Sequence, residues 1–171
     1  MLIAYLRENY NNNVENISHF IGEPNTRLGS NPGGVFRNPL DQSKHYVKFY
    51  RDPEQAKAEV AASGIYNLLG AKTMDHRLVS YNGNIGVATK WNPNTQSIPE
   101  HEFQHKDPIE LARIFHGAVL TKNWDAVGLD HDNIVKDHSD NLHSVDLGGT
   151  FKFRAQGAPK EYGPDIAEYD A

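Results

Sequence analysis

The sequence predicts an α+β fold, because strand patterns and helix patterns occupy separate blocks along the chain. Residues 45–50 form an aromatic and β-branched run that is typical of a strand. Residues 52–55 then begin a helix, since Asp52 can cap it and Pro53 suits its first position. Residues 82–83 are an Asn-Gly pair between two strand-like runs, the commonest chemistry of a two-residue hairpin turn. At 171 residues the chain is expected to form one domain with a core of its own.

The first half of the chain supplies most of the predicted strands. Residues 28–34 are rich in glycine and proline and predict a turn. The helix that begins after Asp52 is expected to end at Gly70, because apolar residues recur at helical spacing up to that point. Residues 77–81 and 84–91 are the two predicted strands of the hairpin.

The second half begins with a polar segment, residues 92–106, whose proline, asparagine and glutamine content predicts a linker. Residues 107–108, an Asp-Pro pair, predict the start of a second helix. The core-facing side of that helix is expected to consist of four apolar residues, namely Ala112, Phe115, Val119 and Leu120. Residues 134–135 and 143–145 predict a small hairpin, and the chain from residue 155 onward is expected to be irregular.

Composition argues against several classes of protein. The net charge is −5, and no basic run with interleaved aromatic residues occurs, so we do not expect a nucleic-acid partner. The lack of cysteine excludes a thiolate zinc site and a disulfide framework, and it suits a reducing compartment. Residues 1–6 are apolar, but Arg7 and Glu8 end this run far short of a membrane span or a signal sequence. We therefore expect a soluble, cytoplasmic protein without a membrane partner.

One lysine and one glutamate suit the binding of phosphate groups. Lys48 lies in the predicted strand on the face opposite Val47, because side chains alternate along a strand. Glu59 follows in the next helix, and an ammonium that faces a carboxylate on a packed helix can grip the α and β phosphates of a nucleotide. As alternatives, both residues could be exposed surface residues, or Glu54 could replace Glu59 as the partner.

A second group of polar side chains lies in the later loops. Asp125 could accept the proton of an attacking hydroxyl group or orient that group. Asn133 and Asp146 could offer oxygen atoms to Mg²⁺, which prefers hard oxygen ligands. The alternative is that these residues cap turns and helices, a frequent role of Asn and Asp. Asp130 and Asp132 are alternative acids in the same loop, and the sequence leaves the choice among the three open.

Glycine-rich segments flank both groups. Just before the lysine strand, a loop whose backbone amides could cradle phosphate oxygens contains Gly29, Ser30, Asn31, Gly33 and Gly34. An ordinary surface turn is the alternative for this loop. Gly148 and Gly149 follow Asp146 and are expected to allow a positive φ in the turn beyond it.

Histidines do not point to a metal site. His101 and His105 have the i, i+4 spacing of a zinc site, with Glu102 between them, but they lie in a polar segment and lack the apolar helix of a zinc protease. The sequence also contains no Gly-x-Ser-x-Gly elbow, so a serine hydrolase is not expected.

These segments together resemble a family of small kinase-like domains from bacteria and phages, which are distantly similar to HipA-type and phosphoinositide-kinase-type catalytic cores. The likeness spans residues 27–165. Its most specific parts are the Asn-Trp-Asp sequence of residues 123–125 and the Phe-Arg-Ala-Gln-Gly sequence of residues 153–157. The glycine loop, residues 28–34, and the lysine strand, residues 46–48, are its generic parts. The match also includes Glu59 with residues 61–63 and Tyr66, and residues 126–128, 132–134 and 146–149.

The resemblance implies a minimal protein-kinase-like fold within a single domain, residues 1–171. Residues 1–91 would form the N-lobe-like part with an antiparallel sheet, and residues 92–106 the linker. Residues 107–171 would form a reduced C-lobe-like part with the catalytic and metal loops. Residues 88–91 fall where a hinge would give backbone hydrogen bonds to adenine, so the nucleotide-binding candidates also include Thr89, Lys90 and Trp91.

The resemblance also implies ATP and Mg²⁺ as cofactors and assigns roles to the polar residues. Lys48 and Glu59 would form the ion pair, and the glycine loop would cover the phosphates. Lys48 and Asp125 would act in catalysis, and Asn133 and Asp146 would bind the metal.

Two features depart from protein kinases. Their metal-binding Asn follows the catalytic Asp by about five residues, whereas Asp125 and Asn133 are eight positions apart. We therefore expect the loop to bulge, or another residue to be the acid. Only 25 residues follow Asp146, so we expect a substrate surface that is reduced or supplied by a partner.

From the sequence we predict an atypical minimal kinase of a bacterial or phage-infected cell. It would transfer the γ-phosphoryl group of ATP to a hydroxyl group, with Ser or Thr of a protein as the expected acceptor. The alternatives are a nucleotide-binding pseudokinase or interaction module that inhibits a partner protein, and a transferase that adds AMP. The sequence leaves the acceptor and the oligomeric state open.

Overall fold

The computed structural model describes residues 14–128 and 131–161. The chain forms a mixed α+β fold, as predicted. Within the described residues, no helix is long and apolar enough to cross a membrane. In chain order the elements are β1 (Glu15–Asn16), β2 (Ile21–Gly22), β3 (Gly33–Arg37), β4 (Lys44–Phe49), α1 (Pro53–Leu68), β5 (Lys72–Thr73), β6 (Arg77–Tyr81), β7 (Asn84–Lys90), β8 (Gln96–Ser97), α2 (Glu100–Phe103), α3 (Pro108–Thr121), β9 (Ile134–Lys136) and β10 (Leu142–Ser144).

The first part of the chain folds as a six-stranded sheet with the strand order β1-β6-β7-β4-β3-β2. The sheet is antiparallel except for the pairing of β1 with β6. The strand predicted at residues 45–50 is β4, which lies in the middle of the sheet, and the predicted hairpin is formed by β6 and β7. At its turn Asn82 and Gly83 have φ values of 49° and 85°, the positive values that this kind of two-residue turn requires.

Helix α1 packs against this sheet and against α3. It begins as predicted, because the Asp52 side chain accepts a hydrogen bond from the Glu54 backbone N–H at 2.9 Å and Pro53 is the first helical residue. Its buried side combines small, polar and aromatic residues, namely Gln55, Ala56, Glu59, Ala62, Ser63 and Tyr66. The helix therefore brings the carboxylate of Glu59 into the interior of the protein.

The core-facing side of α3 differs from the prediction, which was wrong. Its buried residues are Ile114, Gly117, Ala118 and Thr121. The four residues expected there are exposed or half-buried: Ala112, Phe115, Val119 and Leu120. The reason is the close approach of α1, since a Cβ atom on Gly117 would lie 2.7 Å from the Tyr66 ring. Only small residues fit this contact, so Gly117 lies there, and Val119 and Leu120 face outward.

The segment predicted as a linker, residues 92–106, contains ordered structure. It includes β8 and α2, and Ile98 between them is 2% exposed. Strand β8 pairs with β9 at the edge of a second sheet with the order β5-β10-β9-β8. A single isoleucine in a polar run has no periodicity, so the sequence pattern gave no indication of this strand. The small hairpin predicted in the later part of the chain is confirmed as β9 and β10.

Two clusters of buried side chains lie next to the candidate site. The larger cluster joins α1, α3 and the second sheet, and it includes Leu147, the residue after Asp146. The other cluster lies on one face of the first sheet and includes Val47, the residue before Lys48. Burial of Val47 and Leu147 fixes the backbone on which the two charged side chains stand.

Candidate active site

The side chain of Lys48 joins three parts of the fold. It extends from β4 on the face opposite the buried Val47. Its Nζ lies 2.7 Å from Oε1 of Glu59 on α1 and 3.1 Å from Oδ1 of Asp146. The alternative partner Glu54 instead pairs with Lys57 on the exposed side of α1. Strand, helix and late loop thus converge on one ammonium group, although 98 positions separate Lys48 from Asp146.

Burial and charge act against each other at this ion pair. Lys48 is 7% exposed and Glu59 is fully buried. Burial alone would lower the pKa of Lys48, but the carboxylates of Asp146 and Glu59 outweigh it and raise that pKa well above its ordinary value. Burial would likewise raise the pKa of Glu59, but Lys48 and then His76 lower it below its ordinary value. Both groups are therefore charged at neutral pH.

Two further side chains contact the Glu59 carboxylate. The hydroxyl group of Tyr50 donates to Oε2, and Nε2 of His76 lies 3.4 Å from Oε1. Sequence analysis did not identify either residue. Tyr50 could have been found, because it lies two positions after Lys48 and so shares its face of the strand. His76 lies 17 positions from Glu59 along the chain, and no pattern in the sequence connects the two.

The loop after α3 brings Asp125 and Asn133 together in spite of their spacing. The side-chain nitrogen of Asn133 donates to the backbone carbonyl of Asp125 at 2.7 Å. The Asn133 N–H also bonds to the Val127 carbonyl at 3.0 Å, which ties together the described residues on the two sides of positions 129–130. Gly128 has φ 83°, and a Cβ atom there would lie 2.3 Å from a carboxylate oxygen of Asp132. Glycine is therefore required at position 128, and Asp125 and Asn133 lie close together although they are eight positions apart.

Asn123, a residue that sequence analysis included only in the Asn-Trp-Asp resemblance, holds the start of this loop. It is fully buried, and its Oδ1 accepts a hydrogen bond from the Asp125 backbone N–H at 3.0 Å. Its side-chain nitrogen lies 3.4 Å from the hydroxyl group of Tyr66 on α1. The position of Asp125 is therefore tied to the same helix that carries Glu59.

Negative charge accumulates around Asp125. Its pKa is raised by partial burial and then by the charge of Asp146, with a smaller contribution from Asp132, while the Asn133 hydrogen bond opposes these effects. Asp130, the other alternative acid, lies outside the described residues. Carboxylate and amide oxygens grouped in this way suit a hard divalent cation such as Mg²⁺.

The described side chains do not by themselves form a metal site. Within residues 14–128 and 131–161, no group of three or more His, Cys, Asp or Glu side chains is placed to hold a metal ion. Mg²⁺ is usually held by one or two carboxylates together with substrate phosphates. The Asp146 side chain suits that mode because it is 46% exposed and accessible to a ligand, whereas Asn133 is 8% exposed.

The two glycines after Asp146 serve a purpose that differs from the prediction. Neither Gly148 nor Gly149 adopts the left-handed conformation. A Cβ atom on Gly148 would instead lie 2.6 Å from the hydroxyl oxygen of Tyr50. Its N–H donates to Oδ1 of Asp146 at 3.0 Å. Glycine is needed at position 148 for close packing, and the expected reason, a positive φ, was wrong.

The glycine segment before β4 is divided between a loop and a strand. Gly33 and Gly34 belong to β3 and pair with Lys48 and Val47. A Cβ atom on Gly33 would lie 2.0 Å from the Val47 carbonyl oxygen, so strand pairing itself requires glycine there. The part that faces solvent consists of Gly29, Ser30 and the half-buried Asn31. The loop is therefore anchored beside Lys48, where a phosphate-covering loop would have to lie.

The expected hinge residues lie at the end of β7. The backbone N–H groups of Lys90 and Trp91 donate within the protein at 3.3 and 2.9 Å, so they are not free to bind a base as the hinge interpretation expected. The buried Thr89 lies opposite Tyr46 in the sheet, with its hydroxyl group 3.4 Å from the Tyr46 carbonyl. The rings of Tyr46 and Trp91 lie 6.4 Å apart, so this region presents aromatic surface on which a base could stack.

These features define a kinase-like fold. A helix packed on the sheet carries the glutamate partner of a strand lysine, and the later loops carry acidic residues. Among solved structures, the crystal structure of the Helicobacter pylori proinflammatory kinase CtkA is similar, with a TM-score of 0.57 and 18% sequence identity. The match covers 81% of this chain and 60% of that kinase. No protein-family model and no curated protein sequence match the chain.

At this identity the likeness establishes the fold alone, and the predicted kinase-like fold is confirmed. This chain spans 60% of the length of the kinase it matches. The similarity to HipA-type and phosphoinositide-kinase-type cores stays a prediction, as do the roles assigned to the individual site residues.

Proposed function

We propose that this protein is a Mg²⁺- and ATP-dependent phosphotransferase that transfers the γ-phosphoryl group to a hydroxyl group, with Ser or Thr of a protein as the acceptor. The observation that carries the proposal is the position of Lys48 Nζ, within 3.1 Å of both Glu59 and Asp146. A lysine between a helix glutamate and a metal-binding aspartate is the arrangement that kinases use to hold nucleotide phosphates. The kinase-like fold supports the same reading.

Each residue of the site has a role in this proposal. Lys48, oriented by Glu59, would donate to phosphate oxygens, and the loop at residues 29–31 would cover them. Asn133 and Asp146 would hold Mg²⁺, which when bound neutralises charge on the phosphates. These residues would act mainly by positioning and charge, with little covalent chemistry of their own.

Asp125 is the residue best suited to take the proton of the acceptor hydroxyl. It is half-buried, and burial together with Asp146 raises its pKa, which makes the carboxylate a better proton acceptor than an exposed one. Asn123 and Asn133 hold its backbone on both sides of the loop. Asp132 is exposed, and its carboxylate lies against Gly128. The geometry therefore favours Asp125 over Asp132.

The test is transfer of label from ATP to protein. Wild-type protein, Asp146→Asn and the control Asp140→Asn, which alters an exposed turn aspartate, would be incubated with Mg²⁺, [γ-³²P]ATP and a mixture of Ser- and Thr-containing acceptor proteins. We expect label with wild-type and Asp140→Asn, and a loss of about a hundredfold or more with Asp146→Asn, because removal of a stabilising charge at the transferring group has effects of that size.

Three results would contradict the proposal in different ways. Equal labelling by wild-type and Asp146→Asn would exclude catalysis at this site. A Mg²⁺-dependent thermal shift with ATP but no label would identify a pseudokinase. Label from [α-³²P]ATP on the acceptor would identify a transferase that adds AMP.

A further inference from the structure

Glu59 is held by three donors: Lys48 on β4, Tyr50 directly after β4, and His76 directly before β6. They are Nζ of Lys48 at 2.7 Å, the hydroxyl group of Tyr50, and Nε2 of His76 at 3.4 Å. All three residues are 7% exposed, and Glu59 is fully buried. A buried carboxylate with this many donors has little freedom to change its orientation.

The same three side chains also reach residues 145–148, the segment that carries Asp146. Lys48 bonds to Asp146 itself at 3.1 Å, and Nε2 of His76 lies 3.3 Å from the Val145 carbonyl oxygen. The hydroxyl group of Tyr50 lies against Gly148, with no room for a Cβ atom between them. Each donor therefore connects the helix glutamate to the metal-binding segment. Gln55, one helical turn before Glu59, adds a direct bond to the Gly148 carbonyl at 2.9 Å.

The surroundings of His76 fix which ring nitrogen carries the proton. Nε2 has two oxygen neighbours, whereas Nδ1 is buried and has no hydrogen-bond partner. A proton on Nε2 can be shared between Glu59 and the Val145 carbonyl, and Nδ1 then remains as an unpaired acceptor, which costs less than a stranded N–H. In this tautomer His76 donates to both sides.

We propose that Tyr50 and His76 are positioning residues that hold Glu59 and residues 145–148 in one fixed arrangement, so that the Lys48–Glu59 pair and Asp146 stand assembled in the protein alone. The inference rests on the proposed function for its catalytic meaning. The arrangement itself can be tested without turnover.

The first test measures mobility of the segment by hydrogen–deuterium exchange. The variants are Tyr50→Phe, His76→Leu and His76→Gln, in which the glutamine amide can replace Nε2 as a donor. We expect exchange in residues 144–149 to rise about tenfold in Tyr50→Phe and His76→Leu, because a hydrogen bond to a charged group contributes about that factor. Exchange in the β6–β7 hairpin should stay at the wild-type rate, and His76→Gln should resemble wild type.

The second test separates positioning from general stability. Loss of folded protein lowers kcat alone, whereas displacement of Lys48 and Asp146 also raises KM for Mg-ATP. We expect KM to rise about tenfold in Tyr50→Phe and His76→Leu and to recover in His76→Gln. Tyr81→Phe and His143→Gln are matched controls, because Tyr81 packs on the other face of the sheet and His143 pairs with Asp137 rather than with Glu59.

The two tests distinguish failure of this inference from failure of the proposed function. Wild-type protein that neither binds nor turns over Mg-ATP would contradict the proposed function. The exchange data would still show whether Tyr50 and His76 hold residues 145–148 in place. Unchanged exchange in residues 144–149 in both Tyr50→Phe and His76→Leu would overturn the inference. Since Tyr50→Phe removes one oxygen atom only, that variant decides the question if His76→Leu does not fold.

Discussion

At the scale of single residues, the site is defined by charged groups in a buried setting. Lys48 and Glu59 are both nearly or fully enclosed, where an unpaired charge would be costly. Each is tolerated because the other, together with Asp146, Tyr50 and His76, supplies the compensating contacts. The residues that carry the proposed chemistry are thus also residues on which the stability of the fold depends.

Glu59→Gln should be less stable than wild type, and its stability should depend less on pH. Removal of one partner from a buried ion pair costs about 3 kcal/mol or more. Because the folded-state pKa of Glu59 is depressed, its contribution is complete above the unfolded pKa of about 4.3 and is lost as pH falls below it. Urea unfolding between pH 7 and pH 3 should show a wild-type slope that is steeper by up to about 1.4 kcal/mol per pH unit.

The control for this prediction is Glu54→Gln, which alters an exposed glutamate at the start of the same helix. It should follow the wild-type pH dependence closely. Parallel curves for wild type and Glu59→Gln would show that Glu59 is not held as a buried anion.

Gly148→Ala should weaken both stability and nucleotide binding. The new Cβ atom would lie 2.6 Å from the Tyr50 hydroxyl oxygen, so either Tyr50 or the segment after Asp146 has to move. Overpacking of this kind costs about 1–3 kcal/mol, which chemical denaturation would detect. Gly22→Ala is the control, because its Cβ would make an ordinary 3.4 Å contact with Phe36. A Gly148→Ala variant as stable as Gly22→Ala would contradict the close packing.

At the scale of elements, local signals and packing decide different things. The start of α1 and the β6–β7 turn follow from a cap, a proline and an Asn-Gly pair, all of which act within a few residues. The buried side of α3 does not follow from such local signals, because it depends on how closely α1 approaches. Hydrophobicity alone favoured Val119 and Leu120 as core residues, and contact with Tyr66 selected Gly117 instead.

Substitutions in α3 can measure this difference. Gly117→Ala should destabilise the protein by about 1–3 kcal/mol, because its Cβ atom would meet the Tyr66 ring at 2.7 Å. Val119→Ala should change the unfolding free energy by no more than about 0.5 kcal/mol, since Val119 is 51% exposed. Thermal or urea unfolding of the two variants would check the order. A larger loss of unfolding free energy in Val119→Ala than in Gly117→Ala would show that Val119 is a core residue.

At the scale of the whole molecule, the proposed site lies where the first sheet, α1 and the late loops meet. A ligand bound there contacts several elements and should stabilise all of them together. At about 100 times its dissociation constant, Mg-ATP should add about 2.7 kcal/mol to the unfolding free energy. A thermal-shift titration should show this in wild type, and chelation of Mg²⁺ with EDTA should remove most of it.

Lys48→Met is the informative variant in that titration, because it removes the ammonium while keeping a long side chain. Its melting temperature should respond little to Mg-ATP. Lys57→Met, on the exposed side of α1, should respond like wild type. An equal response of all three proteins would place nucleotide binding elsewhere on the molecule.

The sequence by itself determined the order of the main strands and helices, the caps and the hairpin turn, because these depend on neighbours within a few positions. It also indicated that Lys48, Glu59, Asp125, Asn133 and Asp146 should be considered together. Only the tertiary structure decided that Lys48 reaches Asp146 across 98 positions, that the Asn133 side chain bonds to the Asp125 carbonyl, and that Tyr50 and His76 complete the surroundings of Glu59. Those contacts join residues far apart in the chain, and their geometry is set by packing between elements, which no local pattern records.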